Sequence, residues 1–158
     1  MSHPRKLLDD YVTQAKVMQL ATTDADGAPV VCNLWFASGL RPDRLWFISR
    51  ENRIHCDNLR ERPKVAGSIL DTMLDELGGT PVRGVTFTGT ARQLPTTGVD
   101  QQIDAYLSRW PKAHNAIDPE RLANRETHHR IYQIDVTAWV LYDEIGAPKA
   151  PRQPVPAE

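Results

Sequence analysis

Apolar residues change their spacing several times along the chain, and each change marks a predicted element. Between Pro4 and Ala15, Leu7, Leu8, Tyr11, Val12 and Ala15 recur at helical intervals with Asp9, Asp10 and Gln14 opposite, so an amphipathic helix opens the fold. VMQLATT, Val17 to Thr23, is rich in strand formers. DADGAP, Asp24 to Pro29, carries the Asp-Gly and Pro punctuation of a hairpin loop, and VVCNLWFAS, Val30 to Ser38, returns as a second strand. After the turn-rich GLRPD, Arg44 to Ser49 makes a third. The charged stretch Arg50 to Arg62 predicts a short helix with Asn52 as its cap and Pro63 as its stop. Lys64 to Asp71 is a fourth strand, and Thr72 to Pro81 reads as a loop ending in a Gly-Gly turn. From Val82 to Leu94, Val85, Phe87, Gly89 and Ala91 alternate with Thr86, Thr88, Thr90 and Arg92, the period of a long half-buried strand. Gly84 and Gly89 within it point to a bulge or to close approach by another backbone or a ligand.

Helical spacing returns between Gly98 and Trp110, through Val99, Ile103, Tyr106, Leu107 and Trp110, and Pro119 to Arg125 predicts a further short helix. The run from His129 to Tyr142 is either one bent strand or two successive ones. Beyond Ala147 the chain holds four prolines and little apolar bulk, so residues 147–158 are expected to form an extended, mobile tail on a domain of residues 1–146. About six strands in hairpin-like succession, with three helices between or outside them besides the short one at Pro119 to Arg125, describe an all-β core with added helices, closed as an antiparallel barrel. A doubly wound parallel sheet fits less well, because the first three strands are joined by connections too short for crossover helices.

Composition narrows the function classes. A chain of 158 residues suits one domain, and 19 Lys and Arg against 20 Asp and Glu give a formal charge of −1, too near neutral for a nucleic-acid coat. Apolar runs are too short to span a membrane or to form a secretory signal. Cys32 and Cys56 cannot build a disulfide framework, so a cytoplasmic location is the default expectation. Phosphate-loop, dinucleotide and metalloprotease motifs are missing. His128 and His129, adjacent at a strand entry, point to opposite faces and do not share an ion, so no metal site is expected. The informative region is FISRENRIHCDNL, Phe47 to Leu59. Ser49, Arg50, Asn52, Arg53 and His55 bring hydroxyl, guanidinium and imidazole groups to a helix start, a set that suits a phosphate. A solvated, charged helix start accounts for the same residues.

Three segments resemble the pyridoxamine 5'-phosphate oxidase-like, flavin-binding split-barrel superfamily: MQLATTDADGAPVVCNLWF (Met18 to Phe36), LWFISRENRIHCDNLRERPKVAGSI (Leu45 to Ile69) and RGVTFTGTARQL (Arg83 to Leu94). In order and spacing they are similar to the family's first hairpin, its phosphate-binding strand and helix, and its long dimer-forming strand. The resemblance implies a six-stranded antiparallel split β-barrel paired into a homodimer, with cofactor grooves between the subunits. It also implies FMN as cofactor, with deazaflavin or haem as the alternatives among relatives, and oxidoreductase chemistry on a small organic substrate. By position, Ser49 matches the hydroxyl on the flavin phosphate, His55 a phosphate-binding Lys, and Arg53 a small hydroxyl residue, with Arg50 adding local charge. Asn33, Leu34 and Trp35 match the strand beside the isoalloxazine ring, and Arg83 and Gly84 match positions that approach it from the partner. Cys32 and Ala37 stand where true pyridoxamine phosphate oxidases carry basic residues, and their terminal substrate-binding segment has no counterpart in WVLYDEIGAPKAPRQPVPAE, so that reaction is not the expected one. A dimeric module that has lost its cofactor is the non-catalytic alternative.

Overall fold

The computed structural model describes residues 3–70 and 81–158. Helix α1 (His3–Gln14) precedes strands β1 (Val17–Thr23), β2 (Pro29–Trp35), β3 (Ala37–Gly39) and β4 (Arg44–Arg50). Helix α2 (Ile54–Glu61), strands β5 (Lys64–Leu70) and β6 (Arg83–Gln93), helices α3 (Asp100–Arg109), α4 (His114–Ile117) and α5 (Pro119–Ala123), and strands β7 (His129–Asp143) and β8 (Arg152–Pro156) follow. The segment Thr72 to Pro81, expected as a loop, lies outside the described residues except for Pro81.

All eight strands join one sheet in the order β2-β1-β5-β6-β7-β4-β3, with β8 on β7, and the pairings are antiparallel. β2 and β3 stand at the two ends of this order yet are consecutive in sequence, joined through buried Phe36. The sheet therefore curls until its ends are two halves of one broken strand, the split β-barrel. Counting that broken strand once, the barrel has the six strands expected from the pattern, and β8 is an addition. The expected single strand from Val30 to Ser38 is corrected accordingly: its first half pairs β1 and its second half pairs β4.

Alternation along β4 explains why its sequence is apolar almost throughout. Leu45 and Phe47 face the barrel interior with Leu20, Ile69, Tyr132 and Ile134, whereas Trp46 and Ile48 face the opposite way, under α3 to α5 with Ile103, Tyr106 and Ile117. One strand thus serves two cores. On β7 the choice between one strand and two resolves to one continuous strand, held by β6 on one edge and by β4 and then β8 on the other.

The glycines of β6 have separate causes. Ladder register shifts between Thr88 and Gly89, the expected bulge, and a side chain at Gly89 would meet the Asp135 carbonyl. At Gly84 a Cβ would lie 2.4 Å from the Ile69 carbonyl oxygen, so the close approach there is by β5 of the same chain. Two expectations are corrected at the helices and tail. Arg53, not Asn52, is the N-cap of α2 and makes no side-chain cap bond. The tail is extended but docked, since β8 pairs β7 and Val155 is buried in the barrel core.

Beneath that tail lies a buried ion pair. Arg5 Nη1 and Nη2 donate to Asp43 Oδ2 and Oδ1 at 2.7 and 2.6 Å, and Trp139 Nε1 and the Glu158 N–H donate to the same carboxylate. Burial alone would raise the Asp43 pKa, but hydrogen bonds from Arg5, Trp139 and Glu158 outweigh it and hold the carboxyl below its ordinary value. The pair ties α1, the β3–β4 turn, β7 and the tail together at one point.

Candidate functional site

The break at Phe36 opens the barrel wall between β2 and β4, and a large recess on the helical side sits there. Its volume is about 600 Å³, and it is lined by Asn33, Leu34 and Trp35 of β2, Ile48 of β4, Tyr106 of α3, and Trp110, Lys112 and Ala113 beyond it. The walls are aromatic. Trp35 and Trp110 meet edge to face with centroids 4.9 Å apart, and Trp35 keeps 56% of its surface exposed. Where the strand breaks, its carbonyls leave the ladder and the wall residues take them up. The Tyr106 hydroxyl donates to the Trp35 carbonyl at 3.2 Å and Trp110 Nε1 to the Phe36 carbonyl at 2.7 Å. Burial pushes the Tyr106 hydroxyl pKa up to about 12, so it stays a donor at neutral pH. Behind Trp110, the Arg109 guanidinium lies 5.2 Å from the centroids of both Trp110 and Phe36 and donates to the Ala15 carbonyl. Together these place a rigid aromatic cleft beside the edge of β2.

The sequence-identified residues separate into four places. Asn33, Leu34 and Trp35 line the cleft. Ser49 and His55 form a pair, Ser49 Oγ to His55 Nε2 at 2.9 Å, on the barrel-side face of β4 with Phe47, whose ring stacks on Tyr132 at 5.0 Å. Burial first, and then the Arg53 charge, lower the His55 pKa, so its imidazole is neutral at pH 7. Arg53 is exposed at the start of α2. Opposite Ser49 on β7 stands Arg130, buried, with Nη1 on the Thr127 and His129 carbonyls and Nη2 reaching Glu51 at 3.4 Å. Arg50 is turned the other way, toward α4 and α5. Arg83 and Gly84 stand opposite Asp143 and Tyr142, at the far end of β7 from the Ser49–Arg130 pair. One chain therefore does not bring them to Ser49.

Sequence reasoning missed Lys112, and it read Tyr106 and Trp110 only as part of the apolar stripe of an amphipathic helix. The roles of Tyr106 and Trp110 depend on the carbonyls freed at Phe36, and nothing in VVCNLWFAS marks that break. Among the described residues no cluster of three or more His, Cys, Asp or Glu is placed to hold a metal ion. No helix among them is long and apolar enough to cross a membrane.

The family model for pyridoxamine 5'-phosphate oxidase matches residues 5–142. No curated protein matches the chain. Among solved structures it is similar to a haem-binding protein from Mycobacterium smegmatis, with a TM-score of 0.78 and 15% identity over 99% of this chain and 59% of that longer one. It is also similar to a FAD-binding protein from Mesorhizobium loti, TM-score 0.64 and 21% identity over 88% and 92% of the two chains. A third is HutZ, a haem storage protein from Vibrio cholerae, TM-score 0.61 and 17% identity over 85% and 89%. At these identities the likeness establishes the fold.

Proposed function

The chain belongs to the pyridoxamine 5'-phosphate oxidase family, and from that premise we propose that it binds FMN and acts as an oxidoreductase on a small organic molecule, as a homodimer. The observation that supports this reading is the cleft at the barrel break. A tryptophan more than half exposed on a strand, edge to face with a second one, above a recess of about 600 Å³, is a surface prepared for a flat apolar ring. The residue types fit. Trp35, Trp110 and Ile48 supply apolar walls, and the free edge of β2 at Asn33 and Leu34 supplies main-chain groups for a ring's polar rim. Ser49 and His55 lie on the other face of β4 from Ile48, so the cofactor would have to pass the end of that strand to reach them; there they would supply phosphate donors, with Arg53 contributing the charge that a neutral His55 lacks. The flavin, when bound, supplies hydride transfer. The chain's own groups hold the ring, keep water from one side of it, and leave the other for substrate.

Dimerisation completes the reading. The outer face of β1, β5, β6 and β7 carries Ala21, Ala66, Ser68, Thr86, Thr88 and Ala138 around a recess of about 440 Å³. Such a flat face of small side chains suits a second copy of the same sheet. In that arrangement Arg83 and Gly84 would reach the cleft of the partner.

Purified full-length protein is expected to be yellow, to release flavin on denaturation, and to quench the fluorescence of added FMN, while running as a dimer in light scattering. A colourless protein that ignores FMN overturns the flavin assignment. Under that outcome, a Soret band with hemin would replace it by haem, and tighter binding of a deazaflavin would replace it by that cofactor. A monomer at micromolar concentration overturns the dimer.

A further inference from the structure

Arg50, His128 and His129 carry chemistry that the cleft does not use, and the fold brings them together. β4 and β7 pair so that Arg50 stands directly opposite His129, and opposed residues of an antiparallel pair project from the same face. By alternation that face is the one bearing Trp46 and Ile48, turned away from Ser49 and His55. With Asn115, Arg121 and Glu126, these three residues border a cavity of about 380 Å³.

The wall is cationic and partly built. Arg121 is fixed, with Nη1 on the Asn115 carbonyl at 2.7 Å and Nη2 on the Glu126 carbonyl at 3.5 Å. Arg50 makes no side-chain hydrogen bond or ion pair among the described residues. His129 opens β7 but His128 lies just outside it, so the opposite facing expected of these adjacent histidines is corrected: both border the space, with Arg50, Arg121 and a single carboxylate, Glu126. The crowding shows in His129, whose pKa is lowered by burial and then by Arg50, Arg53 and His128. Arg50 comes from the end of β4, His129 from the start of β7 and Arg121 from α5, and a guanidinium fork suits an oxyanion.

We propose that this pocket is a second oxyanion site, separate from Ser49 and His55, that binds the phosphoryl group of a small-molecule ligand through the Arg50 fork and the two imidazoles. A neutral imidazole still donates one N–H, so the lowered pKa of His129 does not remove it as a donor. The pocket adjoins the cleft. Ile48 and Arg50 are alternate residues of β4, about 7 Å apart on one face, and the same segment supplies Lys112 and Ala113 to the cleft and Asn115 and Ala116 to the pocket. A phosphorylated substrate can therefore lay its apolar body in the cleft and its phosphoryl group on Arg50. That last link rests on the flavin reading of the cleft, whereas the anion site itself does not.

The test titrates inorganic pyrophosphate into the full chain while the histidine ring resonances are followed by NMR. His128 and His129 are expected to shift and saturate in the millimolar range, with binding weakened about tenfold or more in Arg50→Ala and unchanged in His55→Gln. Thermal melts confirm that both variants fold. Shifts confined to His55, equal affinity in Arg50→Ala, or no shift at all would each overturn the proposal. FMN titration of the same samples by flavin fluorescence reports on the cofactor reading alone, so the two fail separately.

Discussion

Two arginines, Arg5 and Arg50, sit at opposite ends of the β3–β4 hairpin region and are treated in opposite ways. Arg5 is buried, grips Asp43 with both terminal nitrogens, and has its pKa raised chiefly by that hydrogen bond. Arg50 is exposed at the other end of β4, faces a cavity, and has no side-chain partner among the described residues. The molecule surrounds the Asp43 carboxylate with donors where α1, β7 and the tail must be held together. At the other end it leaves a guanidinium and a tryptophan face uncommitted. Charges that are fully matched inside the protein do structural work, and those left open are available to a ligand.

The sharpest way to break the contrast is at the matched end. Asp43→Ala or Arg5→Met leaves a buried charge alone and should cost about 3–5 kcal/mol, read as a lowered urea midpoint. A cost under about 1 kcal/mol would mean the pair is not the anchor it looks to be. The wild-type carboxyl has its pKa lowered, so this stability is fully present above the ordinary value of 3.8 and is lost as pH falls through the depressed one. Melts between pH 2 and 5 should show that acid limb in wild type.

At the open end, effects belong to binding. Trp35→Ala should weaken FMN about tenfold, or about 1.4 kcal/mol, with the melting temperature unchanged. A large fall in melting temperature would reassign Trp35 to the core. His55 gives a smaller, pH-dependent effect. In the free protein its lowered pKa makes folding less favourable as pH falls below the ordinary 6.5, whereas a bound phosphate favours the proton. Between pH 8 and 6 stability should therefore fall while FMN affinity rises, and His55→Lys should tighten binding by a few fold and flatten its pH profile. Smallest of all, Arg50→Ala should change stability by less than about 0.5 kcal/mol, which is the control that makes the Arg5 result meaningful.

Much of the barrel was legible because its hairpins carry their own punctuation. Asp-Gly at the first turn, the period-two run of β6 and the proline after α2 each have a local cause, and the structure keeps their boundaries to within a residue or two. Two features lacked a local cause. Phe36 sits in an unbroken apolar run, and the break there exists because β2 and β3 have different partners. The tail read as mobile because of its prolines. Yet Pro154 and Pro156 flank Val155, and a strand at the sheet's edge tolerates residues that cannot donate. In the site, residue type was readable but facing was not: Ser49 and Arg50, neighbours in sequence, end on opposite sides of β4.

The carbonyls released at Phe36 carry a consequence for how such a protein diversifies. The side chains that take them up, Tyr106 and Trp110, are also the walls of the cleft. Seam and pocket are one construction, so drift at these positions is constrained twice. New ligand preferences would arise more readily at Lys112, Ala113 and the free face of Trp35, which border the same space and hold nothing shut.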